Sequence, residues 1–311
     1  MGNVIFVIQV LKIINYQMNK GLNMYIMKEY DDALSSILTD GFIVNDDRTG
    51  VGTICKFGIS TKYDISKRFP ILTKRKVFWK SIFKEVLWYI SGSSNINDLE
   101  NMGSNIWTAW KNDEFTSKNN LPNGSGGYIY GYNLIHFGAN IHDPSSKGFN
   151  QLDYVINTLK ENPKSRQACF TFWRPDTNNQ AILPACHAFY SFIVSPNENG
   201  EMKVLNCHLF QRSADYPIGV GVGNITTGAL FTYLIAQQLD MEVGMLYHSA
   251  SHCHIYLNAV ESTKEYLSRK ECPNSPILKI NKKQSIYDYT IDDFELLDYE
   301  PLDAIKFNIA V

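Results

Sequence analysis

Cys186 lies in Leu183-Pro184-Ala185-Cys186-His187, and Gln211-Arg212-Ser213-Ala214-Asp215 and Asn224 follow it along the chain. A thiol near a guanidinium, with the carboxylate of Glu85 upstream, is the set of groups needed to add a thiolate to an electron-poor ring. The thiolate is the reactive form of cysteine, and a nearby positive charge raises its population. One cysteine alone says little, because a free Cys is usually a small buried hydrophobe. A Cys-His dipeptide is likewise a short motif of low specificity. The wider constellation lifts Cys186 above that background. His187 is not the expected base of a cysteine hydrolase, since neighbouring strand residues point to opposite faces.

The elements that must position these groups are read from periodicity. Residues 27–39 carry apolar side chains at helical spacing and end near Gly41. Gly50-Val51-Gly52-Thr53 opens β-rich sequence through Tyr63, and residues 79–90 read as an apolar helix stopped by Ser91-Gly92. Residues 111–127 are polar and rich in Asn, Gly and Ser, which predicts a loop or insertion. A helix over 152–159 ends at Asn162-Pro163; strand-like runs cover 168–173, 187–194 and 202–210, and residues 230–239 form a buried helix. No internal repeat or long linker divides the chain, so helices and strands point to a single α+β or α/β domain.

Composition narrows the function classes. The chain has 311 residues, 44% apolar and 13% aromatic, enough for a well-buried core. Its net charge of −2, without a long basic run, disfavours a nucleic-acid partner and leaves open a small anion held by a few arginines. Six cysteines without close pairs do not read as a disulfide framework, which predicts reduced thiols and a cytoplasmic protein. The apolar run 4–14 is too short to span a bilayer, and its first positive charge, Lys12, comes after most of the run, unlike a signal peptide. Phe6 stands where a myristoylation motif needs Ser or Thr. Residues 1–23 are therefore read as a non-catalytic extension, with Met24 or Met27 as an alternative start, and residues 24–311 as the catalytic domain. His252-Cys253-His254 has no supporting set of spaced ligands, so no metal is expected.

A series of motifs resembles the thymidylate synthase family, in that family's order. They are Asp47-Arg48-Thr49-Gly50-Val51-Gly52-Thr53, Phe69-Pro70-Ile71-Leu72-Thr73, Lys84-Glu85-Val86-Leu87-Trp88, Ile106-Trp107-Thr108-Ala109-Trp110 and Tyr130-Gly131. After them come Cys186-His187, Arg212-Ser213-Ala214-Asp215, Ile235-Ala236-Gln237-Gln238, His254-Ile255-Tyr256 and a tail ending in Ala310-Val311. The resemblance implies an α+β domain, a large mixed sheet flanked by helices, that forms a homodimer through the sheet. It implies transfer of a one-carbon unit from the co-substrate 5,10-methylenetetrahydrofolate to C5 of dUMP, with no metal and no membrane. Cys186 would attack C6 of the uracil, and Glu85 would act through water on O4 and on the C5 proton. Tyr130, Arg212, Asp215 and Asn224 would complete the catalytic set. Arg48, Arg212 and Ser213 would hold the 5′-phosphate with Arg166 of a second copy. Arginine's planar fork suits phosphate oxygens. Asn224 would read uracil, because an amide can accept from N3–H and donate to O4. His254 and Tyr256, two apart on one strand face, would bind the ribose. Asp215 would contribute to both sites. Ile106, Trp107, Trp110, Leu183, Ile218, Gly219, Tyr256 and Ala310 would face the folate, since aromatic and aliphatic walls with one carboxylate suit a flat pterin.

Four places depart from the family pattern. Gln167 replaces the second of two arginines, and Gly219-Val220-Gly221-Val222-Gly223-Asn224 is one residue longer than its counterpart and loses a Pro and a Phe. Ala250-Ser251-His252 stands for Gly-Gly-Asp, and Trp173-Arg174-Pro175 for Trp-Asn. A second branch of the family, the hydroxymethylases, adds water where the synthases transfer hydride. The tail and both tryptophans of Ile106-Trp107-Thr108-Ala109-Trp110 resemble the synthases, while Arg174-Pro175 and the surroundings of Asn224 and His252 resemble the other branch. The expected product is dTMP with dihydrofolate; the alternative is 5-hydroxymethyl-dUMP with tetrahydrofolate. A relative that only bound nucleotide or RNA would be expected to lose Cys186 or Arg212, and both are present.

Overall fold

Inward residues recur at every second position along the strands, and this period of two builds the sheet. The computed structural model describes residues 25–45, 49–270 and 276–309. Residues 1–23, Arg48, Ala310 and Val311 lie outside them. Strands β1 (Phe42–Val44), β2 (Thr53–Asp64), β3 (Cys169–Thr171), β4 (His187–Pro196), β5 (Met202–Asp215) and β6 (Glu242–Tyr256) form one sheet. Their order is β1-β2-β6-β5-β4-β3, with β5 and β6 parallel and the other neighbours antiparallel. A separate antiparallel pair joins β7 (Ile277–Ile280) to β8 (Phe294–Leu297).

Helices α1 (Lys28–Asp40), α2 (Trp79–Ile90), α3 (Ile96–Asn101), α4 (Asp113–Lys118), α5 (Tyr130–Ile135), α6 (Gln151–Glu161), α7 (Ile225–Gln238) and α8 (Val260–Ser268) complete the α+β domain. Helix α7 packs on β5 and β6, and α1 packs on β2. Phe170, Tyr190 and Phe231 meet between α7 and the sheet, with ring centroids 4.7 to 5.6 Å apart. Such offset and edge-on pairs add to the burial of large rings. Helix α6 begins where Asn150 accepts from the Leu152 and Asp153 amides, a side-chain cap for otherwise orphaned donors. Residues 113–118, read as loop from composition, form a short helix because Asn112 caps it through the Phe115 amide.

The buried helix expected over 230–239 begins earlier, at Ile225, and continues from a π-helical stretch, Tyr216–Asn224. A π turn accommodates extra residues within a helical run and recurs at functional sites. The combined helix is apolar, with mean hydropathy 1.4 over its apolar window, of which 72% is buried inside the protein. A helix apolar on all sides belongs in such a core.

At one end of the sheet the alternation shifts. Leu246, His248 and Ala250 are buried on β6, then Cys253 and Ile255; on β5, Leu205, Cys207, Leu209 and Gln211 give way to Ala214. The shift falls at one level across three strands, where His252 registers with Phe57 and Ser213. Gly58, beside Phe57, has φ +68°, a left-handed conformation that glycine adopts without penalty. Ser213 and His252 are thereby left out of the core.

Candidate active site

Cys186 stands immediately before β4, opposite the end of β5. The Arg212 amide donates to the Cys186 carbonyl at 2.9 Å, which fixes the two backbones together. The Arg212 side chain turns back, donating through Nε to the Ala185 carbonyl at 2.8 Å and through Nη2 to the Pro184 carbonyl at 2.7 Å. Its guanidinium lies 4.9 Å from the Trp173 ring centroid. Nη2 is then 3.8 Å from Cys186 Sγ. These contacts hold a positive charge beside the sulfur, the arrangement a thiolate needs.

Behind the cysteine is a stack of buried rings. The Tyr130 hydroxyl, on α5, accepts from the Cys186 amide at 2.9 Å. Its ring packs on both Tyr89 and His187, with centroids 4.9 and 4.5 Å away, and those two rings also touch each other at 6.1 Å. Burial, reinforced by the charge of Cys186, pushes the Tyr130 phenol well above its ordinary range. His187 is buried, its Nδ1 is 2.9 Å from the Tyr190 hydroxyl, and burial pushes its pKa down to about 3. It is a neutral ring packed among aromatic neighbours.

Glu85 projects from α2 and accepts from Trp107 Nε1 at 2.5 Å. Burial raises its pKa, opposed by hydrogen bonds from Trp107 and Tyr89. Trp107 in turn touches Trp110 and Tyr130, with centroids 5.7 and 5.8 Å away. Ile106, Trp110 and Leu183 are half-buried against the same core. Glu85, Trp107, Tyr130, Cys186 and Arg212 therefore form one continuous cluster.

Asn224 ends the π-helical stretch, and its Oδ1 accepts from Gln211 Nε2 at 2.8 Å. Gln211 also donates to the Ser213 carbonyl at 2.9 Å, and its Oε1 is 2.9 Å from His248 Nε2. Burial, with His208 adding, pushes the His248 pKa down to about 4, so the neutral ring donates to Gln211. Gln211 registers with His187, which ties this chain to the cysteine. Gly219 lies against it too, since a Cβ there would sit 3.2 Å from Asn224 Oδ1.

Asp215 accepts from the Ile218 amide at 3.4 Å, capping the π turn. Burial pushes its pKa up to about 7, against the opposing effects of the Ile218 amide and Arg75. Arg75 donates to the Pro217 carbonyl and stacks on Phe307 of the C-terminal tail, 4.3 Å from the ring centroid. The tail is also held by a hydrogen bond from the Leu302 amide to the Thr73 carbonyl at 2.8 Å. On the neighbouring strand, the buried His254 and the half-buried Tyr256 meet edge to face at 5.1 Å.

The structure thus brings together Cys186, Arg212, Glu85, Tyr130, Trp107 and Trp110 in one group, and Asn224, Ser213, Asp215, Ile218 and Gly219 in a second that adjoins it. Arg166 is exposed in the turn before β3, and its described contacts include none to this cluster. Three participants carried no sequence-level role: Gln211, His248 and Arg75. Buried polar residues on the inward positions of β5 and β6 were the signal for the first two. Arg75 was hidden in the run Lys74-Arg75-Lys76, which reads as a solvated surface. Among the described residues, no group of three or more His, Cys, Asp or Glu side chains could hold a metal ion.

Comparison with known proteins identifies the family. The family model for thymidylate synthase matches residues 28–311. The human thymidylate synthase is 36% identical over 290 residues, covering 91% of this chain and 90% of that protein. The bifunctional dihydrofolate reductase-thymidylate synthases of Zea mays and Paramecium tetraurelia are 38% and 36% identical over 291 and 290 residues, again 91% of this chain. The chain spans 54% and 61% of the length of those two relatives. With its cysteine, arginine, glutamate and asparagine on one sheet-and-helix frame, the chain belongs to the thymidylate synthase family.

Proposed function

We propose that the chain transfers a one-carbon unit from methylenetetrahydrofolate to C5 of dUMP, giving dTMP and dihydrofolate. The observation that carries this reading is the Arg212 guanidinium held 3.8 Å from Cys186 Sγ, in a cluster that also contains Glu85. Cys186 adds to C6 of the uracil, and covalent addition divides one difficult step into two easier ones. Arg212 stabilises the thiolate and, with Ser213, Arg48 and Arg166 of a second copy, binds the 5′-phosphate. Glu85 has a raised pKa, which suits a carboxyl that passes a proton to and from the pyrimidine through water. The Asn224 amide faces the uracil edge, with Gln211 fixing its orientation. The folate supplies the methylene carbon and the hydride. Trp107, Trp110, Leu183 and Ile218 suit its ring as a wall, and Asp215 as a polar anchor.

One observation favours a second outcome, 5-hydroxymethyl-dUMP. The π-helical stretch carries Val220-Gly221-Val222-Gly223 where the family has a Pro and a Phe, and a site that loses those rings would admit water to the methylene more readily. About 1.4 kcal/mol between the two barriers changes the product ratio tenfold. Incubating the protein with dUMP and methylenetetrahydrofolate, then reading nucleotide mass and dihydrofolate absorbance, separates the two. The expected result is dTMP with an absorbance rise. A product heavier by one oxygen without that rise selects the second, and no product refutes both.

The working unit is a homodimer through the sheet. Phe189, Ile193, Phe210 and Tyr247 are exposed on β4, β5 and β6, on the side away from α7. Large exposed apolar side chains on one sheet face, here interleaved with Ser191, Asn206, His208 and Ser249, suit an interaction surface.

A further inference from the structure

Three rings follow one another along the end of β6. His254 and Tyr256 have centroids 5.1 Å apart, and His252 and His254 have centroids 5.2 Å apart. The Nδ1 atoms of His252 and His254 are 3.3 Å from each other. His254 is buried, but His252 is exposed, in register with Ser213 on one side and Phe57 on the other. Had the alternation of Leu246, His248 and Ala250 continued, position 252 would lie in the core. The shift at this level turns it out beside Ser213.

The geometry points to His252 as a further nucleotide-binding residue, one that donates to the 5′-phosphate next to Ser213 and fixes the tautomer of His254. This rests on the reading of Arg212 and Ser213 as phosphate ligands. Two imidazoles facing through Nδ1 form a hydrogen bond only when one of the two atoms carries hydrogen. The exposed ring is the one that water can solvate as a cation. Once protonated, His252 donates from both nitrogens, Nδ1 to His254 and Nε2 to an anion. His254 is then left with its hydrogen on Nε2, a donor for the sugar hydroxyl. A phosphate dianion beside Ser213 stabilises that state. The charged and titratable groups near it are His254, in contact, and by strand register Tyr256 on β6, Arg212 and Asp215 on β5, and Cys55 and Lys56 on β2, the last paired with Asp40.

Binding of dUMP and of deoxyuridine to the full chain tests this, in wild type, His252→Asn and His252→Ala. His252→Asn keeps a donor for His254 but not the charge. Both variants should bind dUMP about tenfold more weakly, the scale of one partly solvated charge-assisted contact. Deoxyuridine should bind His252→Asn as it binds wild type. Equal losses for both ligands would make the role structural and overturn the assignment, as would unchanged dUMP affinity. Failure of the wild type to bind dUMP would refute the nucleotide reading itself.

Discussion

At the scale of single residues, the site is organised by where charge is allowed. Arg212 keeps a full charge at the sulfur because three backbone contacts and the Trp173 ring hold it there. Cys186→Ser should therefore lose nearly all turnover, since an alcohol is a much weaker nucleophile near neutral pH. Incubation with 5-fluoro-dUMP and the folate should trap a covalent adduct on wild type only; mass spectrometry finding it on Cys169 or Cys207 would sink the assignment. Asp215 shows the opposite arrangement, a carboxyl pushed up to about 7 by burial. A raised folded pKa means that the native state holds a proton which the unfolded chain releases near 3.8. Native binds more protons than unfolded between those values, so this group's contribution to stability falls as pH rises from about 4 to about 7. Asp215→Asn, uncharged throughout, should flatten that slope in melting temperature, raise stability above neutrality and lower turnover by weakening the folate site. A variant whose melting profile keeps the wild-type slope would show that Asp215 is not its source.

At the scale of elements, the π-helical stretch decides how the extra residue is absorbed. Gly221 packs directly on the Tyr30 phenol, which donates to the Tyr216 carbonyl at 3.1 Å and stacks on the Tyr216 ring at 5.9 Å. A Cβ at 221 would collide with that phenol. Gly221→Ala should cost about 1–3 kcal/mol, the usual penalty for overpacking. Tyr30→Phe, which removes the colliding oxygen, should recover part of it in the double variant. Denaturant unfolding of the four proteins reads the coupling, and simple additivity would contradict the contact. The turn was not legible in the sequence: the Gly-Val repeat reads equally well as loop, and tertiary packing on Tyr30 decides its form. The amphipathic α1, the apolar α2 and the alternating strands were legible because their periodicity reports one buried face. The Cys186, Glu85 and Trp107 group was legible as motifs. The Asn224, Gln211 and His248 chain was not, because Gln211 and His248 are 37 residues apart and meet only across paired strands, and Asn224 reaches them from the π-helical stretch. The shift of alternation at Gly58 also escaped, since it depends on three strands at once.

At the scale of the whole molecule, the sheet has one face under α7 and another on which large apolar side chains are bare. Ile193 and Tyr247 are 56% and 46% exposed. A monomer gains nothing from that surface, whereas a two-fold pair buries it twice, and closed two-fold dimers are the commonest soluble assemblies. On the proposed dimer, the exposed Arg166 of one chain serves the phosphate site of the other. Two inactive variants, Cys186→Ser and Arg166→Ala, then become complementary. In a heterodimer one site contains both defects, and the other contains neither. Random exchange of equal amounts makes half of the dimers mixed, and half of their sites intact, so about a quarter of wild-type activity should return. The measurement is turnover after exchange has been verified by mass or by a tag on one chain. Activity that stays at the level of the separate variants, or a monomer in sedimentation, would mean that Arg166 serves no neighbouring site. Recovery without Arg166, seen by mixing Cys186→Ser with Glu85→Gln, should not occur, because Glu85 and Cys186 belong to one chain's cluster and each mixed site retains one defect.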